Sequence, residues 1–292
     1  MSESILQKMH KYSRVIWRAY GKNAKLRIGL SIFLMLVAFS LLSLFSPLDT
    51  RRWYAVPREL PPSIDYLLGT TSMGRDVFWE LSRSVHNSLL IAFITALIST
   101  NLGLAIGLFS GLKGGVIDRV LTFLTDTFVV IPGLPLLIVI TSIIKSWITT
   151  PLLGLLIAIV SWAWPTRQIR SIVLSLRERT FVCTAVLSGM STSKIILREI
   201  MPFIIGWYMV LFTNTILFSI GYESGLAILG LSVLGENTLG VMIYWAVNQY
   251  YAVFRGLWWW FIPPLLTLIL LFISLYLISS GLSELLKSFR TS

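Results

Sequence analysis

The sequence is poor in the residue types on which most soluble chemistry depends. It has one cysteine, Cys183, so no intrachain disulfide can form and the redox compartment cannot be read from pairing. Its two histidines, His10 and His86, lie far apart and offer no metal-ligand spacing. Charged residues make up 13% of the 292, against about 25% in an ordinary soluble domain. A glycine-rich phosphate cradle ending in Gly-Lys-Ser or Gly-Lys-Thr is missing, because the nearest segment, Gly111 to Gly115, lacks both the spacing and the hydroxyl. Ser/His/Asp sets, paired catalytic carboxylates and zinc spacings are missing too. No catalytic, cofactor-binding or metal-binding residue is therefore assigned, and the chain is expected not to be an enzyme. No cleavable signal peptide is evident, since the first 27 residues have no apolar core.

What is abundant is apolar surface. Hydrophobic residues make up 55% of the chain, and the mean hydropathy is +0.80. A bilayer-crossing helix needs about 20 apolar residues, and six segments meet this: 28–46, 88–110, 120–144, 151–171, 203–228 and 259–283. The expected fold class is an all-α integral membrane protein with six transmembrane helices. The net charge of +11 suggests nucleic acid at first, but its distribution argues against that. Residues 1–27 carry seven Lys/Arg against Glu3, and residues 167–202 carry six against Glu178 and Glu199. Residues 47–86 instead balance five Arg with five acids. The positive-inside rule then puts both termini in the cytoplasm and the chain in the plasma membrane as a multi-pass protein. Trp53, Tyr54 and the run Trp258 to Trp260 read as interfacial anchors. The chain divides into a cytoplasmic segment 1–27, a first helix and outer segment 28–86, a five-helix core 87–283, and a cytoplasmic tail 284–292.

The longest polar interruption, Arg177 to Pro202, falls in an inner loop. A short helix over Thr180 to Ser188 would put Phe181, Ala185 and Ser188 on one side and Val182 and Val186 on another. Gly189 can end it by taking positive φ. Ser191, Thr192 or Ser193 can cap a second helix through Arg198, and Pro202 fits the first turn of the next span. The spacing Ala185-x3-Gly189-x10-Ile200-x-Pro202 resembles the cytoplasmic EAA loop, EAA-x3-G-x9-I-x-L-P, of ABC-importer permeases. Cys183 and Thr184 stand where that motif has Glu and its first Ala, so an ion pair from the motif Glu is not available.

Gly69 to Leu89 also resembles a stretch of the dipeptide and oligopeptide permeases, with Gly69, Thr70, Gly74, Arg75, Asp76, Val77, Leu81, Ser88 and Leu89 in register and departures at Glu80, Ser84 and His86. A structural role is expected here, with Gly69 and Gly74 in tight turns and Asp76 capping the helix into the second span; contact with an external binding protein is the alternative. Asp118 lies in an inner turn. Asp126, about 10 Å further along a helix, is costly in a membrane unless paired, and an arginine near the inner surface is the expected partner. Pro132 and Pro135 should kink the third span, either lining a pathway or serving packing. Glu223 to Val233 resembles the family segment E-A-x-L-S-F-L-G-L-G-V. Glu223 is read there as a packing acid or a gate, and Gly230, with Ser224, Gly225 and Ala227, as permitting close helix approach.

The resemblance, which runs over nearly the whole chain, is to the C-type permease of dipeptide, oligopeptide and nickel importers. It implies a type I ABC-importer permease fold and a translocation path for peptides or oligosaccharides. The implied partners are a homologous B-type permease, two cytoplasmic ATPase subunits holding ATP and magnesium, and an external solute-binding protein. No nucleic acid is implied. The residues that the resemblance places in the ATPase-coupling loop are Cys183 and Thr184, the two departures, with Ala185, Gly189, Ile200 and Pro202, which match. An ion-coupled secondary transporter is the rival reading, and it would have to use Asp126 and Glu223 as its coupling acids. A permease for nickel or another small solute is a second. A membrane-embedded enzyme is a third and lacks clustered His, Cys or acids.

Overall fold

The computed structural model of the chain describes residues 23–291; the charge pattern of residues 1–22 lies outside them. Helix α1 (Ala24–Leu42) starts at Asn23, whose side chain accepts from the Leu26 N–H at 3.1 Å. An outer segment leads to α2 (Val77–Lys113), then α3 (Gly115–Val130), α4 (Gly133–Ile143), α5 (Thr150–Ser161), α6 (Ala163–Arg177), α7 (Thr180–Leu187) and α8 (Thr192–Ile195). A π-helical turn, Ile196–Ile200, joins α8 to α9 (Met201–Ile228), and α10 (Leu239–Tyr244) and α11 (Trp258–Thr291) complete the chain. Among the described residues there is no strand, only an isolated bridge between Thr70 and Asp76.

Four unbroken helical stretches are long and apolar enough to cross a membrane: Ala24–Phe45, Val77–Lys113, Thr192–Ile228 and Trp258–Lys287. Two bent pairs, α3 with α4 at 80° and α5 with α6 at 45°, bring the number to six if each pair is one span. The segment expected as one kinked span at 120–144 is therefore broken. Pro132 has no N–H to continue the ladder, and Ile131 before it is extended at φ −67, ψ 123. The segment expected at 151–171 bends at Trp162 and runs on to Arg177, with Pro165 in the first turn of α6. The fifth span also differs from expectation, because α8 is its inner end and not a separate surface helix.

Close helix approach holds α2 to α6. Gly103, Gly107 and Gly111 recur every fourth residue and so share one face. A Cβ at each would lie 2.7 Å from Pro165, 2.9 Å from the Thr166 carbonyl and 2.8 Å from Val173. Small residues let the backbones meet where apolar burial gives no advantage over lipid. The crossing of α1 and α11 uses the same device, with Gly29 against the Ser274 carbonyl and Gly281 against Leu26. The outer end of the fold is filled by Met73, Val77, Leu239, Met242 and Trp260. Trp260 is fully buried and the Trp259 indole donates to the Thr70 carbonyl at 3.2 Å, so of the three tryptophans expected as interfacial anchors only Trp258 is half exposed. Overpacking a tight contact costs about 1–3 kcal/mol or more. Gly107→Leu should accordingly lower the melting temperature of the detergent-purified protein, whereas Leu97→Ala, at a position 47% exposed, should leave it nearly unchanged.

Candidate functional site

At the end of the fold that carries the 177–202 loop, α7 lies against α6, α8 and the start of α9. Its inward face is Val182 and Ala185, packed with Leu176, Ile195, Ile200 and Ile204, while Phe181 stacks on Phe203 at 5.2 Å. Val182 thus shares the buried face with Ala185, and Ser188 is exposed at the helix end, which corrects the grouping read from sequence. Cys183 and Thr184 are exposed, and so are Val186 (57%) and Leu187 (87%). Gly189 ends the helix at φ +71, with its N–H on the Val186 carbonyl at 3.0 Å and the Met190 N–H on the Ala185 carbonyl at 3.1 Å. This is a Schellman motif, which a residue with a Cβ closes only under strain. Ser191 precedes α8 without a side-chain cap. Ile200 is fully buried, and Pro202 follows a π turn whose wider ring relieves the clash an α-helical proline would make.

Two ion pairs join α3 to α6 above this loop. Asp118 accepts from Arg170 Nε and Nη2, both at 2.7 Å, from Thr122 at 3.3 Å, and from the Ser110 hydroxyl. Arg170 and Ser110 were not expected from sequence. Asp126 and Arg167 face each other at 3.8 Å with about half of each side chain exposed, too far for a hydrogen bond.

Above the second pair, where α3 gives way to α4 and α5 to α6, there is a cavity of about 330 Å³. Phe128, Pro132, Trp164, Phe218 and Tyr222 line it with Ser161 and Thr215. The Tyr222 hydroxyl sits against Gly133. Pro135, one turn into α4, is not part of the lining.

Glu223 is fully buried and is not among the residues that line this cavity. One of its oxygens accepts from Ser232 at 2.9 Å and Thr238 at 2.6 Å, which ties the end of α9 to the start of α10. Gly230 at φ +70 terminates α9 through a second Schellman pair, Gly230 N–H to Ala227 and Leu231 N–H to Leu226. The close approach expected of Gly230 is made by Gly240, whose Cβ would meet Ala227 and Ser224 at 2.7 Å.

The outer segment is pinned by Arg75. Its guanidinium donates to Glu80 at 3.0 Å, to the Asn237 side chain at 3.2 Å and to the Arg51 carbonyl at 2.8 Å. Asn237 in turn donates to the Thr50 carbonyl and accepts from Asn87. Gly69 and Gly74 take φ +72 and +68 in the turns that precede α2. The Asp76 carboxylate accepts from the Phe78 and Trp79 N–H groups, while burial pushes its proton affinity above the usual carboxylate range. Beside this, Arg255 donates to Glu59 at 2.7 Å, and the Ser72 hydroxyl with Arg255 holds the Glu59 carboxyl below its usual range. Sequence matching placed Arg75 and Asp76 in a motif. Asn237 carried no signal, because its partners are 150 and more residues away.

The chain thus carries membrane-length helices, two bent helix pairs and a loop helix with an exposed apolar tip, and comparison with known proteins gives the family. The chain belongs to the binding-protein-dependent transport system inner membrane components, the family that matches residues 103–290. It is 29% identical over 288 residues to the dipeptide transport system permease protein DppC of Bacillus subtilis, covering 97% of this chain and 88% of that one. It is 32% identical over 225 residues to the oligopeptide permease protein OppC of Lactococcus lactis subsp. cremoris, covering 76% and 75%. The nickel transport system permease protein NikC of Escherichia coli is 31% identical over 221 residues, covering 73% and 79%. Among solved structures, the inward-facing MetNI methionine ABC transporter aligns at a TM-score of 0.54 and 20% identity over 72% of this chain and 96% of that one, a likeness of fold. This chain is an ABC-importer permease, a multi-pass plasma-membrane subunit and not an enzyme, with the ATPase in separate subunits.

Removing Arg75 would leave Glu80 buried without its counter-charge, a change that costs about 3–5 kcal/mol. Arg75→Met should therefore lower thermal stability sharply, while the double variant Arg75→Met with Glu80→Leu recovers most of it. For Glu59 the folded-state affinity for a proton is lowered, so its contribution is present at neutral pH and is lost as pH falls below about 4. Limited proteolysis of the outer segment should accelerate over that range, and the Glu59→Gln variant should show the acid-state rate at neutral pH.

Proposed function

We propose that this chain pairs with a homologous B-type permease to import short peptides, with both termini in the cytoplasm, two ATPase subunits below and an external binding protein above. The observation that carries this reading is the path from α7 to the cavity. Val186 and Leu187 present an apolar tip to the cytoplasm, and the inner face of the same helix is locked to Ile195 and Ile200. Those residues begin one 37-residue stretch, Thr192–Ile228, which supplies Thr215, Phe218 and Tyr222 to the cavity wall. Movement of an ATPase against α7 is thereby delivered to the cavity by a rigid element.

Peptides are favoured as solutes because the names of the matched relatives specify dipeptide and oligopeptide transport. Nickel is the second reading, since the nickel transport system permease protein NikC is also among the matched relatives. Docking rests on shape and apolar contact, since Cys183 and Thr184 stand in place of the motif carboxylate and its neighbour.

Leu187→Asp and Gly189→Leu, made separately, should leave the protein in the membrane and reduce ATP-driven dipeptide uptake about tenfold or more, with loss of ATPase subunits on affinity purification. Normal uptake and normal ATPase recovery in both variants would overturn the assignment of the loop. Uptake of oligosaccharides and not of peptides would overturn the solute.

A further inference from the structure

Two features of the α3–α6 face are not explained by holding the fold together. The first is the Asp126–Arg167 pair. The Asp118–Arg170 pair below it is bidentate and closed, but Asp126 and Arg167 stand 3.8 Å apart and half exposed. Among the described residues neither side chain makes another ion pair within 4 Å or a hydrogen bond, although the Asp126 charge also acts at longer range on Arg170. Charges on apolar helices are costly in a membrane unless they are paired or hydrated, and these two are neither closed on each other nor buried.

The second feature is the cavity. No charged residue lines it, and its walls are mainly aromatic and aliphatic, with Ser161 and Thr215 as hydroxyl groups. Both hydroxyls already donate to carbonyls of their own helices, so they offer lone pairs and no strong polar demand. Its volume of about 330 Å³ is at the lower end for small-ligand sites. Asp126 is one turn from Val129 on α3, and Arg167 is one turn from Ala163 and Trp164 on α6; Val129, Ala163 and Trp164 line the cavity. The two charges therefore form its cytoplasmic rim.

We propose that the cavity and the Asp126–Arg167 rim are one transit site for a zwitterionic short peptide. The cavity takes an apolar side chain, Arg167 takes the terminal carboxylate and Asp126 the terminal ammonium. The open geometry suits this role. An exposed pair without a hydrogen bond gives up little when a ligand separates it, whereas each charge gains a charge-assisted hydrogen bond to a peptide terminus. The proposal rests on the peptide-importer reading above.

The test uses the complete transporter in lipid nanodiscs and a dipeptide whose second side chain is a benzophenone, as the free zwitterion, the C-terminal amide and the N-acetyl derivative. Photolysis should attach the zwitterion to the walls around Phe128, Trp164 or Phe218, as mapped by mass spectrometry, and the two blocked forms should label about tenfold less. Arg167→Gln should bring the free acid down to the level of the amide and leave the amide unchanged, while Arg167→Lys keeps the preference. Asp126→Asn should give the reciprocal result with the acetylated peptide. Val129→Phe, which fills the cavity, should reduce benzophenone labelling.

Adducts mapping elsewhere, or equal losses for blocked and free peptides in both charge variants, would overturn the site. ATP-driven uptake of alanyl-alanine by the same complex separates the two readings. Uptake without cavity labelling rejects the site and keeps the importer of peptides; labelling without uptake keeps the site and rejects that importer; absence of both rejects both.

Discussion

The contact between α2 and α6 sets the geometry of the inner half of the molecule. In a bilayer, apolar side chains gain nothing by leaving lipid for one another, so association depends on how closely two backbones can approach. Three glycines on α2 remove every Cβ from that line, and Pro165, Thr166, Ile169 and Val173 of α6 occupy the space. Once α6 is seated, Arg170 is fixed at the height of Asp118, Arg167 at the height of Asp126, and Leu176 beneath α7. The bend at Trp162 then carries α5 away at 45°, and the cavity opens where the two broken spans separate.

Helix breaks at this depth need an explanation, because backbone groups without partners are costly where water is absent. Here the break between α3 and α4 is not turned to lipid alone. Tyr222 of α9 reaches Gly133, and α5 supplies Val160 beside it. The unsatisfied ends are placed around an interior space, as discontinuous helices are at binding sites in other transporters. The other half follows the opposite rule, with a polar cluster around Arg75 and Asn237 buried under the connection of residues 43–76 and hydrogen-bonded to its backbone carbonyls.

The spans were legible in the sequence because an apolar run of the right length is a direct statement about solvent. The same was true of Gly189, whose positive φ follows from its place after a short helix, and of Asp76 as a helix cap. The bend at Pro132 was legible as a site but not as an 80° turn, since proline says which hydrogen bonds are lost and its neighbours decide where the chain then goes. The union of α8 with α9 was missed because three hydroxyl residues, Ser191 to Ser193, are equally good helix starts and polar interior residues. Arg170 was missed because nothing local distinguishes it from Arg167, and only the height of Asp118 across the helix pair, 52 residues away, makes one closed and the other open.

The stretch from Thr192 to Ile228 has 37 residues and so measures about 55 Å at 1.5 Å per residue. That exceeds the roughly 40–45 Å of a whole bilayer with its headgroups, so the stretch must tilt, bend or project beyond one surface while its middle is packed against its neighbours. A stiff body held at its middle acts as a seesaw: travel at the free end returns as opposite travel at the far end, reduced or enlarged by where the fulcrum lies. The π turn at Ile196 to Ile200 lies on that arm between the loop and Thr215, so on the proposed mechanism the stroke arrives in full only if the wider turn stays as stiff as the helix on either side of it.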